Sequence, residues 1–271
     1  MYYLYLLVVA WICVLSLSCA VATVESGDDF QAGRLDSTRW QRTENGDFKE
    51  ATVDVLDVDS EGGGDYWLRL RTDTIGTQDD TVKFLGVRSV SQANFAKGVV
   101  VSFDLDWNKQ ANGCYLSAAL YLCPTITSTN PKDEADWFKL EYVGVPPGKN
   151  VRSIVARKVD GTVRYLDKDG WPEDRHGRQV ANQHINLLID SDKVCVRENG
   201  RELYSTSSHG LPFKRAYLYL QMSSHSNYPA REVYFDNISI LKNHTTFTID
   251  HEEIADQYDH WPNSTARLFT R

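Results

Sequence analysis

The sequence predicts an all-β domain, a two-sheet antiparallel β-sandwich. Three observations lead there. Short runs in which apolar and polar residues alternate recur about a dozen times along the chain, and a period of two is the signature of half-buried strands. Asn112-Gly113, Asp160-Gly161, Asp169-Gly170 and Asn199-Gly200 fall between such runs. Asn-Gly and Asp-Gly are preferred in two-residue hairpin turns, because both central residues need positive φ. No amphipathic helix longer than a turn or two interrupts the series, which leaves a sandwich or jelly roll as the architecture.

Taken in order, the chain opens with an apolar segment from Leu4 to Leu17, followed by Ala20-Val21-Ala22. A short apolar run ending in a small-x-small pattern reads as a signal peptide over residues 1–22, cleaved after Ala22. The run is shorter than the ~20 residues that span a bilayer comfortably. A secreted chain with no membrane span after cleavage is therefore expected. An uncleaved anchor is the alternative, since no Lys or Arg precedes the apolar core. Residues 23–241 form the predicted sandwich. It begins with Asp28-Asp29-Phe30 and Leu35-Asp-Ser-Thr-Arg-Trp40, and strand-like runs follow at 52–58, 66–71, 82–90, 98–107, 114–123, 137–142, 151–159, 162–166, 184–189, 193–198 and 202–205. Ala216–Ile240 supplies the last pair. Leu218, Leu220 and Met222 share one parity there, while Tyr217, Tyr219 and Gln221 share the other, so one face is apolar and one is hydrogen-bonding. Residues 242–271 lose the alternation, carry Asp250, Glu252, Glu253, Asp256 and Asp259, and read as an acidic tail.

A formal charge of −8 with no basic stripe argues against nucleic acid as a partner. Hydrophobic residues make up 42% of the chain and aromatic ones 11%, ample for a core. With Cys13 and Cys19 in the signal segment, Cys114, Cys123 and Cys195 remain, so at most one disulfide forms and one thiol stays free. Their spacing gives no zinc pattern. Asn237-Ile-Ser, Asn243-His-Thr and Asn263-Ser-Thr are sequons that make the chain a candidate glycoprotein, with Asn243 and Asn263 as the expected sites.

The Asp-Asp-Phe opening, the Trp shortly after it and the terminal Phe235-Asp236-Asn237-Ile238 strand resemble concanavalin A-like lectin/glucanase domains. That superfamily spans laminin-G-like modules, legume-type lectins, laminarinase-type hydrolases and jelly-roll alginate lyases. The resemblance covers most of residues 28–241 and implies fold rather than one activity, because the fold hosts many functions. It also implies a structural Ca²⁺ joining the two ends of the domain. Asp29 and Asp236 are the acidic residues for it, with backbone carbonyls completing an oxygen shell. The alternative is that Asp236 bonds the N-terminal backbone without metal.

Parity suggests a concave sheet that carries the function. Asp104 and Asp106 oppose Phe103 and Leu105; Tyr121 opposes Leu120 and Leu122; Trp137, Lys139 and Glu141 oppose Phe138, Leu140 and Tyr142. Together with Tyr217, Tyr219, Gln221 and Arg88 these groups suit a sugar, since rings stack on pyranose faces while carboxylates and amides take hydroxyls. Carbohydrate binding is the leading expectation. Hydrolysis would need two carboxyl groups, about 5–5.5 Å or ~6.5–9.5 Å apart. Asp104, Asp106 and Glu141 are the candidates, with about 6.5–7 Å between the first two Cα atoms. The laminarinase-type motif is Glu-x-Asp-x-x-Glu, and its nearest match, Ser102-Phe-Asp104-Leu-Asp106-Trp107, lacks both glutamates. A lyase would need a base and a group that neutralises a uronate carboxylate. Tyr219 and His225, with Gln221 and Arg88, offer those types. Gln183-His184-Ile185 has the order of the lyase Gln-x-His motif shifted by one. A purely structural matrix domain is the third alternative.

Overall fold

The computed structural model describes residues 23–45, 51–59, 62–72, 82–107, 116–145, 150–167, 182–225 and 231–242. Within them the strands are β1 (Thr23–Asp28), β2 (Trp40–Asn45), β3 (Thr52–Asp57), β4 (Tyr66–Thr72), β5 (Val82–Ser89), β6 (Ala93–Asn94), β7 (Val99–Trp107) and β8 (Ser117–Cys123), then β9 (Trp137–Val145), β10 (Asn150–Val159), β11 (Thr162–Tyr165), β12 (Asn182–Ile189), β13 (Val194–Glu198), β14 (Arg201–Thr206), β15 (Arg215–His225) and β16 (Arg231–Lys242). One 3₁₀ turn, Pro131–Asp133, interrupts them. No helix among the described residues is long and apolar enough to cross a membrane.

The strands form two antiparallel eight-stranded sheets. The first runs β14-β13-β12-β7-β16-β4-β3, with β1 added to β16; the second runs β11-β10-β9-β8-β15-β5-β2, with β6 added to β15. Alternation explains the packing. Phe103 and Leu105 of β7, Phe235 and Ile240 of β16, Leu120 and Leu122 of β8, and Leu218, Leu220 and Met222 of β15 meet in one core between the sheets. The hairpin residues behave as their chemistry requires. Asp160 and Gly161 have φ of 47° and 76°, and Asn199 and Gly200 have 50° and 75°, the pair of positive values a type I′ turn needs.

The Asp-Asp-Phe opening ties the sheets together. Asp28, at the end of β1 in the first sheet, accepts from the Trp40 indole in the second at 3.0 Å and from the Phe30 amide at 2.9 Å. Phe30 takes a φ of 54° and is fully buried. The carboxylate thus satisfies an indole N–H that burial would otherwise strand.

Candidate functional site

The face of the second sheet turned away from the core is the one that alternation marks for function. Tyr217, Tyr219 and Gln221 of β15 lie beside Cys123, Tyr121 and Ala119 of β8, and Tyr121 and Ala119 lie beside Lys139 and Glu141 of β9. On the opposite flank Arg88 and Gly86 of β5 stand against Tyr219 and Gln221, with Gln41 and Thr43 of β2 beyond them. Tyr121, Trp137, Tyr219, Cys123, Ala119 and Ala156 form a second buried apolar cluster, with Tyr217 packed on its margin. The Tyr121 and Trp137 rings meet edge to face at 5.7 Å. The Lys139 ammonium lies 5.9 Å and 5.6 Å from their centroids and pairs with Glu141. Burial pushes the Tyr121 and Tyr219 hydroxyls well above the ordinary tyrosine range. The Tyr219 hydroxyl and Gln221 Oε1 are buried without a hydrogen-bond partner.

A turn-rich loop braces one end of this face. Glu134, fully buried, accepts from Thr125 Oγ1 (2.6 Å), Thr127 Oγ1 (2.9 Å) and Ser128 N (2.8 Å), and from Thr127 N. The Trp137 indole donates to Lys132 O at 3.2 Å, which locks the ring under the loop. Nothing periodic in the sequence marks Glu134; its partners lie six to nine residues away in an irregular segment.

The expected single sheet of carboxylates and aromatics is corrected by the topology. Asp104 and Asp106 belong to β7 of the first sheet, whereas Tyr121, Trp137, Lys139, Glu141, Tyr217, Tyr219, Gln221 and Arg88 belong to the second. Both sets face away from a shared core, which is about 10 Å thick in packed sheets. Asp104 and Asp106 therefore cannot share a glycosidic bond with Glu141. His225 ends β15 in register with Val82, and its side chain lies outside the described residues. Residues 1–22, Cys114, Asn243, Asn263 and the acidic tail beyond Lys242 also lie outside them.

On the first sheet's outer face the aspartates make a different constellation. Asp104 Oδ1 is 2.7 Å from His184 Nδ1, and its Oδ2 accepts from Asn237 Nδ2 at 2.7 Å. Asn237 occupies a bulge between Asp236 and Ser239 with φ 55°, so its amide is engaged within the fold. His184 was legible only as part of a shifted motif, because its pairing with Asp104 is a register contact 80 residues distant.

Asp236 is 1% exposed, its Oδ1 has no hydrogen-bond partner, and burial with the Asp104, Asp65 and Asp29 charges pushes its pKa to about 9. An orphaned buried carboxylate oxygen is one element of a hard-cation site, and Asp236 supplies that one element. Asp29 is exposed, and its carboxylate caps the Gln31 amide at 3.2 Å. No group of three His, Cys, Asp or Glu side chains suited to a metal occurs among the described residues, so Asp236 would need backbone carbonyls as co-ligands. Among the described cysteines, Cys123 and Cys195 are free and buried on opposite outer faces, which excludes a bridge between them. Burial pushes both thiols up, Cys195 to about 11.

No protein-family model matches the chain, and no curated protein matches it. Solved structures do. A Bacillus licheniformis β-glucanase superposes with a TM-score of 0.51 at 9% identity, covering 79% of this chain and 96% of that one. The laminarinase catalytic domain from Thermotoga maritima gives 0.51 at 13%, covering 82% and 98%. The carbohydrate recognition domain of Emp47p gives 0.50 at 10%, covering 82% and 97%. The fold is the concanavalin A-like jelly roll. At these identities the likeness establishes architecture alone, and it embraces a recognition domain as readily as catalytic ones.

Proposed function

We propose that this is an exported carbohydrate-recognising β-sandwich that binds glycan on the outer face of its second sheet, through Tyr217, Tyr219, Gln221, Arg88 and the Tyr121–Trp137–Lys139 cluster. The observation that carries this reading is the makeup of that face. Tyr217, Lys139 and Glu141 are part-exposed there, beside the buried Tyr121, Trp137, Tyr219, Gln221 and Arg88, and Glu141 is the one carboxylate among the described strand residues of that face. Hydrolysis by paired acids needs a second carboxyl group within reach. Glu141 has instead an ammonium neighbour in Lys139. The neighbours' names, a glucanase, a laminarinase and a carbohydrate recognition domain, support a sugar as the ligand. Export rests on the Leu4–Leu17 run and Ala20-Val21-Ala22. A structural Ca²⁺ held by Asp236 and backbone carbonyls would supply positive charge that unites the chain ends of the sandwich.

A glycan array with wild type, Tyr217→Ala and Tyr219→Ala tests the reading. Binding by wild type that both variants weaken supports it. No binding, together with release of reducing sugars or unsaturated uronates from plant and algal polysaccharides, overturns it in favour of an enzyme.

A further inference from the structure

One row of side chains on the outer side of the first sheet is apolar, where alternation calls for polar residues facing water. Leu241 of β16 stands beside Val100 of β7, Val100 beside Leu188 of β12, and Leu188 beside Cys195 of β13. Their chain neighbours Ile240, Val101, Leu187 and Val196 lie in the core between the sheets, so this row points the other way. Val100, Leu188 and Cys195 form a cluster of their own, with Leu241 packed against it. They are 2%, 3% and 3% exposed, although no described strand lies over them.

Two further features of the same face call for a cover. In the next outward row Asn186 is 2% exposed; its Oδ1 accepts from Ser102 Oγ at 2.6 Å, while its Nδ2 is buried with no acceptor. A buried amide donor costs free energy until a carbonyl or carboxylate reaches it. Past Leu188, toward the β14 edge, an open pocket of about 580 Å³ has Lys193, Cys195, Glu202 and Ser205 in its wall.

The chain carries a matching segment at this place. β16 ends at Lys242, one residue past Leu241, so residues 243–271 start from the end of the apolar row. In them Ile254, Tyr258 and Trp261 recur at i, i+4 and i+7, the spacing of one helical face. Glu252, Asp256 and Asp259 fall on the opposite face. Asp250 with Glu253 three residues later has the form of a capping box, and Pro262 follows as a stop. A helix over residues 251–261 is about 16 Å long, and the three strand intervals from Leu241 to Cys195 span about 14 Å. Residues 243–250 reach up to about 26 Å when extended, enough to bring that helix back onto the row.

We propose that residues 243–271 fold back over the outer face of the first sheet as an amphipathic strap, seating Ile254, Tyr258 and Trp261 on the Leu241–Val100–Leu188–Cys195 row. The acidic side then faces water, and the strap brings acceptors over Asn186. It lies on the sheet opposite the proposed glycan face and leaves that face open.

Thiol labelling of the full chain, resolved by residue with mass spectrometry, tests the strap. Cys195 lies under it, and Cys123, buried on the opposite outer face, is the internal control. Both should label slowly in the wild type. The double variant Ile254→Glu/Tyr258→Glu should label Cys195 at least about tenfold faster, through lost local protection, and leave Cys123 unchanged. If both thiols quicken, the sandwich itself has loosened, and the milder pair Ile254→Ala/Tyr258→Ala is read in the same way. Equal Cys195 rates in wild type and variant overturn the strap. Fast labelling in both means a bare face; slow labelling in both means another cover, a second copy if protection rises with protein concentration.

Discussion

Asp104 and Asp236 face each other across the β7–β16 ladder, yet they are in opposite situations. Asp104 is bonded through both oxygens, to His184 and Asn237. Asp236 keeps one oxygen buried and unpartnered. Millimolar Ca²⁺ should raise the melting temperature, and EDTA should reverse the rise. A ligand at a hundredfold its dissociation constant stabilises by about 2.7 kcal/mol, or about 5–10 °C for a domain this size. Asp236→Asn should abolish the response. Differential scanning calorimetry decides it, and an unchanged wild-type transition with Ca²⁺ would sink the proposed site.

Glu134 gives a pH dependence of defined sign. Burial raises its pKa, but the bonds from Thr125, Ser128 and Thr127 outweigh that and hold it below the ordinary glutamate value. A depressed pKa means that the carboxylate's stabilisation is fully present above about pH 4.3, the unfolded value, and is lost as pH falls through the lower folded one. Glu134→Ala should cost about 2–4 kcal/mol by stranding buried donors, with Glu134→Gln in between. Urea denaturation measures the cost. Hydrogen-exchange protection at Thr127 and Ser128, taken relative to the intrinsic rate at each pH, should fall on acidification, and protection constant from pH 6 to pH 3 would contradict the assignment.

Tyr219→Phe separates stability from function. The buried hydroxyl lacks a partner, so deleting it should stabilise the domain by about 1 kcal/mol, seen as a shift of about 2–4 °C in the melting temperature. The same change should weaken glycan binding. A variant that is destabilised and binds normally would show that the hydroxyl serves the fold.

Gly86 has no room for a side chain. A Cβ there would sit 2.2 Å from Leu220 O and 3.0 Å from Gln221 Cα. Backbone cannot yield cheaply at that distance, so Gly86→Ala should cost about 1–3 kcal/mol and displace Gln221. Denaturation together with a glycan titration should report both losses; a fully stable variant would refute the close approach.

Alternation made the interior legible. Leu218, Leu220 and Met222 point inward as their parity requires, and Asp160-Gly161 and Asn199-Gly200 turn as their φ values require. It could not reveal which strands are neighbours. Asp104 and Asp106 face away from the core just as Tyr219 does, so parity assigns all three alike; only the hydrogen-bonded order separates them into two sheets. β2, with the sequence WQRTEN, was silent because an edge strand buries only part of its length, here Trp40 and Thr43. β1 and the two-residue β6 carried no alternating run long enough to read. The Arg88–Tyr219–Gln221 grouping was half visible, as residue types on one face. That no described residue gives the guanidinium a counter-charge is a fact about partners, which come from β2 and β15 at long range.

β1 and β16 lie antiparallel with Thr23 opposite Lys242, cross-strand neighbours about 5 Å apart. A linker of a few residues would join those two positions. The sandwich is therefore suited to being reopened at a different hairpin, such as Asn199-Gly200, or seated as an insert within a loop of a host enzyme without separating its sheets.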